Sequence, residues 1–123
     1  MILSFNSRFI PKVKSGEKIH TLRDAGRWSE GMTIQFYDKM YRPGMYKFRE
    51  DGIVISIQEV YITFFRGRLE ISIDDRYLYY NDIMRFLNND GFGSQDEFIE
   101  YFFPQKDNGK TSKDLIHWTP LKY

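Results

Sequence analysis

Ile53-Val54-Ile55-Ser56-Ile57-Gln58-Glu59-Val60-Tyr61, then Ile62-Thr63-Phe64-Phe65, Arg66-Gly67-Arg68 and Leu69-Glu70-Ile71-Ser72-Ile73, is the stretch whose reading decides the fold. It is rich in β-branched and aromatic residues and its apolar positions alternate, so it reads as strand rather than helix. Ile53 to Tyr61 forms one candidate strand, and Ile62 to Phe65 and Leu69 to Ile73 form two more around an Arg66-Gly67-Arg68 turn. Upstream, Arg49-Glu50-Asp51-Gly52 reads as a hairpin turn joining Tyr46–Phe48 to Ile53–Tyr61, because Asp-Gly accepts the positive φ angles of tight turns. Gly31 opens a further alternating run, Met32 to Tyr37, and Ile2 to Phe5 reads as a short buried edge strand. Roughly five or six strands around a helical patch predict an α+β chain built on a curled, mostly antiparallel β-barrel with short flanking helices.

The helical patches have their own signals. Phe9, Ile10 and Val13 fall at helical spacing within Arg8 to Ser15, Pro11 sits early enough for its missing N–H to cost little, and Gly16 is the stop. Ile83, Phe86 and Leu87 mark a second helix that Asp90-Gly91 ends. Ser94, followed three residues later by Glu97, is a capping box for a third, with Phe98, Tyr101 and Phe102 as its core stripe. Pro104 to Ser112 reads as an exposed loop and Leu115 to Trp118 as a final strand. No repeat or linker divides residues 1–123, so a single domain is expected.

Composition narrows the function classes. Cysteine is absent, which excludes disulfides and thiolate metal sites, and His20 and His117 stand too far apart in sequence to suggest a metal cluster. No metal and no cofactor is therefore expected. No run of apolar residues is long enough to span a membrane, and Met1 to Arg8 does not read as a signal peptide, so the expected location is cytoplasmic. The net charge of +1 conceals an uneven distribution. Met1 to Trp28 carries Arg8, Lys12, Lys14, Lys18, Arg23 and Arg27 against Glu17 and Asp24, whereas Glu70 to Glu100 is acidic. A basic face of this kind suits an anion such as a phosphate, though it is equally what a solvated charge asymmetry would look like.

The chemistry concentrates in Gly16-Glu17-Lys18-Ile19-His20-Thr21-Leu22-Arg23-Asp24, followed by Trp28 and Gly31. Lys18 is a mobile point charge, Arg23 a planar fork able to grip a phosphate or carboxylate with two parallel hydrogen bonds, and Thr21 a hydroxyl between them. That hydroxyl can donate to an anion or act as a nucleophile if a base takes its proton. The plainer alternative pairs Arg23 with Asp24 or another acid, leaves Lys18 in solvent and makes Thr21 an ordinary strand residue. In a regular strand Lys18 and Thr21 would face opposite ways, so a shared site requires a bend between them. His20 is a candidate acid or base, or a packing residue. Trp28, and with less weight Tyr37, Tyr41 and Tyr46, are candidate platforms for stacking a nucleobase.

The Gly-x-Lys-x-x-Thr-x-Arg pattern after a short helix, followed by a Gly that opens the next strand, resembles the signature of the ASCH domain family of the PUA-like superfamily. Asn89-Asp90-Gly91-Phe92 with Ser94 and Glu97-Phe98 resembles the same family's later turn and helix, so the likeness runs from about Ile2 to Phe103. The resemblance implies a small barrel that binds RNA or a nucleotide. Some members are amidohydrolases that remove the acetyl group of acetylated cytidine with a Lys, a Thr and a Glu, and others are proposed nucleases. Lys18 and Thr21 match the first two positions, and Asp90, one methylene shorter, is the nearest counterpart of the Glu. Because catalysis is sensitive to displacements of about 1 Å, binding ranks ahead of turnover. The expectation is thus a nucleotide or RNA groove with Lys18, Thr21 and Asp90 as its catalytic set if it turns over, and Arg23, His20 and Trp28 as ligand contacts. A protein-interaction role through the Gly109-Lys110-Thr111 segment and the acidic helices is the remaining alternative.

Overall fold

A computed structural model describes residues 1–39, 46–105 and 107–123, and Tyr41 lies outside them. In chain order the strands are β1 (Ile2–Phe5), β2 (His20–Arg23), β3 (Thr33–Asp38), β4 (Gly52–Ile53), β5 (Ser56–Phe65), β6 (Arg68–Ile73), β7 (Arg76–Tyr77) and β8 (Gly109–His117). The helices are α1 (Ile10–Ser15), entered through a 3-10 turn at Ser7–Phe9, then α2 (Tyr80–Asn89) and α3 (Gln95–Phe102). The result is an α+β fold of two mostly antiparallel sheets and three short helices. One sheet has the order β2-β8-β5-β6-β7 and the other β1-β3-β4.

Strand β5 is the spine of the larger sheet. Its burial alternates residue by residue, with Ser56, Gln58, Val60, Ile62 and Phe64 turned inward, as its sequence alternation requires. The two candidate strands meeting at Tyr61 and Ile62 are one continuous element, because nothing between them can turn the chain. Arg66 and Gly67 have φ of 50° and 78°, the paired positive angles of a two-residue hairpin, and they set Phe65 opposite Arg68. Asp74 and Asp75, at φ of 50° and 63°, repeat the device and add β7.

Two expectations are corrected. Arg49 to Gly52 is not a hairpin turn: Lys47 pairs with Tyr37, and Gly52 and Ile53 pair with Ile34 and Thr33, so both flanks run along β3 in one direction. Gly52 is there for space, since a Cβ would come within 3.0 Å of the Phe36 ring. The polar segment up to Ser112 is not all loop either, because Gly109 to Lys113 pairs with Phe64 to Val60 and extends β8. A polar strand of this kind is held by its neighbour's backbone rather than by a buried face, and composition alone does not reveal it.

Among the described residues the strands do not close into a barrel. Val54 N–H donates to the Met32 carbonyl at 2.9 Å and Ile55 N–H to the His117 carbonyl at 2.8 Å, which joins the two sheets along one corner. On the opposite side β1 and β2 stand at the outer ends of their sheets, unpaired with each other among the described residues. Side chains reach into the interval between them, and the Arg23 guanidinium lies 5.0 Å from the centre of the Phe5 ring. Behind this seam the core is aromatic, with Phe5, Phe36, Phe86 and Phe98 fully buried.

The alternation along β5 makes neighbouring residues of one type unequal. Phe64 is 6% exposed and Phe65 57%. Phe64→Ala is expected to cost about 3–5 kcal/mol, and Phe65→Ala under about 1 kcal/mol, measured by urea denaturation of each variant.

Candidate functional site

The bend that the motif requires is made by the end of α1. Gly16, at φ 84°, caps the helix in the left-handed region, where a side chain would be strained. The Lys18 N–H then donates to the Lys12 carbonyl at 3.0 Å and the Ile19 N–H to the Asn89 carbonyl at 2.9 Å. These bonds hold Lys18 outside the strand that starts at His20. Thr21 and Arg23 share one face of β2, and Lys18 arrives at the same cavity from the turn that precedes it.

Asp90 organises the buried end of that cavity. Its Oδ1 lies 3.1 Å from Lys18 Nζ and 3.0 Å from His20 Nδ1, and its carbonyl accepts from Lys18 Nζ at 2.6 Å. All three residues are at most 3% exposed. The surrounding donors fix the histidine: Nδ1–H donates to Asp90, so Nε2 accepts from the Tyr123 hydroxyl at 2.7 Å, which in turn accepts from Asn89 Nδ2 at 2.9 Å. Burial holds His20 below the usual histidine range, against the opposing pull of Asp90. Burial likewise lowers the proton affinity of Lys18, countered by the same carboxylate. Tyr123 is raised to about 12, chiefly by burial.

A second polar cluster continues from there. His117 is the cross-strand partner of His20, and its Nε2–H donates to Gln58 Oε1 at 2.9 Å. The Tyr123 N–H donates to the same oxygen at 2.9 Å. Among the described residues His117 Nδ1 has no hydrogen-bond partner, in keeping with a histidine whose burial lowers it to about 4.

The cavity occupies the seam between β1 and β2 and encloses about 230 Å3. Four cations line it, Lys18, Arg23, Lys39 and Lys113, against the carboxylates of Asp24 and Asp90. Both carboxylates are engaged, Asp90 as above and Asp24 by Lys113 Nζ at 2.7 Å. Arg23 is different. Its Nε donates to Thr21 Oγ1 at 3.3 Å, and among the described residues no carboxylate stands within ion-pair distance of its guanidinium. Thr21 therefore aims the arginine, and because its oxygen acts as acceptor its own O–H is left to donate. Burial lowers the Arg23 pKa, although a guanidinium stays protonated in any accessible range.

The structure brings Lys18, Thr21, Arg23 and Asp90 together around this one cavity. It places the other two expected ligand contacts elsewhere. His20 is sealed from the cavity, stacked on Phe86 with ring centres 5.4 Å apart, and touches the site only through Asp90. Trp28 is 8% exposed and belongs to the core, with one edge on an adjoining cavity. Tyr37 and Tyr46 are absent from the lining, while Tyr101 and Phe102 of α3 contribute to it. Sequence reasoning missed Tyr123, Asn89, Lys39 and Lys113. Tyr123 follows the last strand without any periodic pattern, and the two lysines reach the site only through sheet register.

Removing one partner of the buried pair leaves the other without its counter-charge. Lys18→Met, after which the Asp90 carboxylate keeps only the His20 hydrogen bond among the described residues, is expected to cost about 3–5 kcal/mol in chemical denaturation. Lys47→Met, at the exposed Lys47–Asp51 pair, is expected to cost under about 1 kcal/mol.

In comparisons with known proteins the chain matches no family model, and neither a curated protein nor a solved structure shows significant similarity to it.

Proposed function

We propose that the seam cavity binds a nucleotide, free or as part of an RNA strand, with a phosphate held by Arg23. The observation that carries this reading is the Arg23 guanidinium itself, oriented by Thr21 and unanswered by any carboxylate among the described residues. Holding such a cation in a half-buried place costs desolvation energy, and an anionic ligand offsets that cost with paired charge-assisted hydrogen bonds. Lys39 adds to the positive field, and the volume of about 230 Å3 suits one nucleotide unit better than a larger ligand. The motif's resemblance to ASCH domains of the PUA-like superfamily points the same way. Calorimetric titration with cytidine and cytidine 5′-monophosphate tests it. The monophosphate is expected to bind at least about tenfold tighter, and Arg23→Gln to remove that advantage, since hydrogen bonds to charged groups contribute about 1.5–3 kcal/mol. Equal affinity for the two ligands would overturn the phosphate role.

A second reading, hydrolysis of acetylated cytidine, is favoured by the buried contact between Lys18 and Asp90. A lysine of lowered proton affinity lining the same cavity as Thr21 has the makings of a general base. In that scheme Thr21 Oγ1 attacks the acetyl carbon as its proton passes to the Lys18 amine. The cytosine amine leaves with that proton, and water then releases acetate from Thr21. The shorter side chain of Asp90 is no obstacle to reaching Lys18, which it already touches at 3.1 Å. Thr21, however, bonds to Arg23 rather than to Asp90, and binding remains the preferred reading. Turnover of acetylated cytidine by the wild type and by Thr21→Val separates the two. Binding predicts no turnover in either protein and weaker nucleotide affinity in Thr21→Val, because Arg23 loses the acceptor that aims it. Robust wild-type hydrolysis that Thr21→Val abolishes would establish the enzyme.

A further inference from the structure

A second cavity of about 470 Å3 adjoins the first along the same seam. Ser4, Arg23 and Asp24 line both, so Arg23 stands on the wall between them. The two spaces differ in character. The first is polar and basic, closed at its inner end by Lys18 and Asp90. The second has a more apolar lining, with Met1, Ile2, Leu3 and Trp28 beside the shared residues and Arg27. Arg27 has no carboxylate within ion-pair distance among the described residues. The negative charge of Asp24 on the shared wall is paired with Lys113 at 2.7 Å. The loop that carries Arg27 and Trp28 is tied down by the Gly26 N–H, which donates to Asp114 Oδ2 at 3.0 Å. The second space is therefore bounded by a fixed loop.

A basic compartment and an apolar compartment on either side of one unpaired guanidinium match a ligand with two heterocyclic units joined by an anionic linker. We infer that the seam takes a dinucleotide step, with its phosphodiester on Arg23, one nucleoside in the Lys18 cavity and the next base against the apolar lining of the cavity that Arg27 shares. This rests on the nucleotide reading above and adds to it the length of the ligand and the role of Arg27. A mononucleotide fills only one compartment and leaves the apolar lining in water, whereas a dinucleotide covers it and brings a base within reach of a second guanidinium. The same chemistry can come from a free dinucleotide or from consecutive nucleotides of a single-stranded RNA.

The test is calorimetric titration of the full chain with cytidine 5′-monophosphate, the dinucleotide CpC and a ten-nucleotide oligocytidylate. CpC is expected to bind at least about tenfold tighter than the monophosphate, and Arg27→Gln to abolish that difference. A further gain with the oligocytidylate, weakening with salt at a log–log slope of about −0.7 for each added phosphate contact, identifies an RNA strand as the source. Affinity per site equal to that of CpC identifies the free dinucleotide. If the wild type binds CpC and the monophosphate alike, the two-compartment inference is overturned while the nucleotide reading stands. If neither binds, both fall.

Discussion

A carboxylate buried at the base of a cavity has to be satisfied by donors that are themselves held in place, and Asp90 meets this condition with a lysine on one side and a histidine on the other. The three groups come from two distant parts of the chain, the turn and strand after α1 and the residue that caps α2. Their contact fixes where α2 sits against β2. It also fixes the histidine tautomer, and with it the direction of the bonds through Tyr123 and Asn89. Buried networks of this kind are costly when incomplete. Completed, they admit one arrangement of the elements that carry them, and here that arrangement opens a cavity lined by Lys18 and Asp90. Gly91 belongs to the same fit: at φ 94° it ends the turn, and a Cβ there would come within 3.1 Å of Lys18 Cδ and 3.2 Å of Phe9.

The open side of the sheet arrangement gives the site its shape. The sheets are joined at the Val54–Ile55 corner and separate at β1 and β2. Through that separation the polar interior meets solvent, and the sequence places Thr21 and Arg23 on its rim. Charge is distributed with some economy. Lys113 answers Asp24 and Lys18 faces Asp90, which leaves Arg23 and Lys39 as the lining cations without a carboxylate of their own among the described residues.

Much of this was legible from residue order, for identifiable reasons. The helix ends were readable because Gly16 and the Ser94–Glu97 box act over a few residues; the Glu97 N–H donates to Ser94 Oγ at 3.1 Å as the pattern requires. The inward face of β5 was readable because its period is local. The convergence of Lys18, Thr21 and Arg23 was anticipated only through the motif, since strand alternation alone separates Lys18 from Thr21. What escaped was governed by register. That His20 faces His117 depends on how β2 slides along β8, and no local pattern encodes that. His20 has the chemistry of a ligand contact, but it is fully buried and supports Asp90 from behind, while Trp28 is packed in the core and lines only the adjoining cavity. The hairpin read at Asp51-Gly52 failed because the sequence favours a turn where the pairing of Gly52 with Ile34 continues a strand.

Two strand edges without partners among the described residues present backbone donors and acceptors to any extended segment that passes, and such edges are where aggregation by strand addition begins. The side chains along this seam bear on that hazard. Arg23, Arg27, Lys39 and Lys113 crowd the gap beside β1 and β2 with positive charge, and a hydrophobic strand from a second copy could not enter without burying them. The cations of this seam therefore also guard the chain against adding a strand from its own kind, and mutations that neutralise them lower colloidal stability.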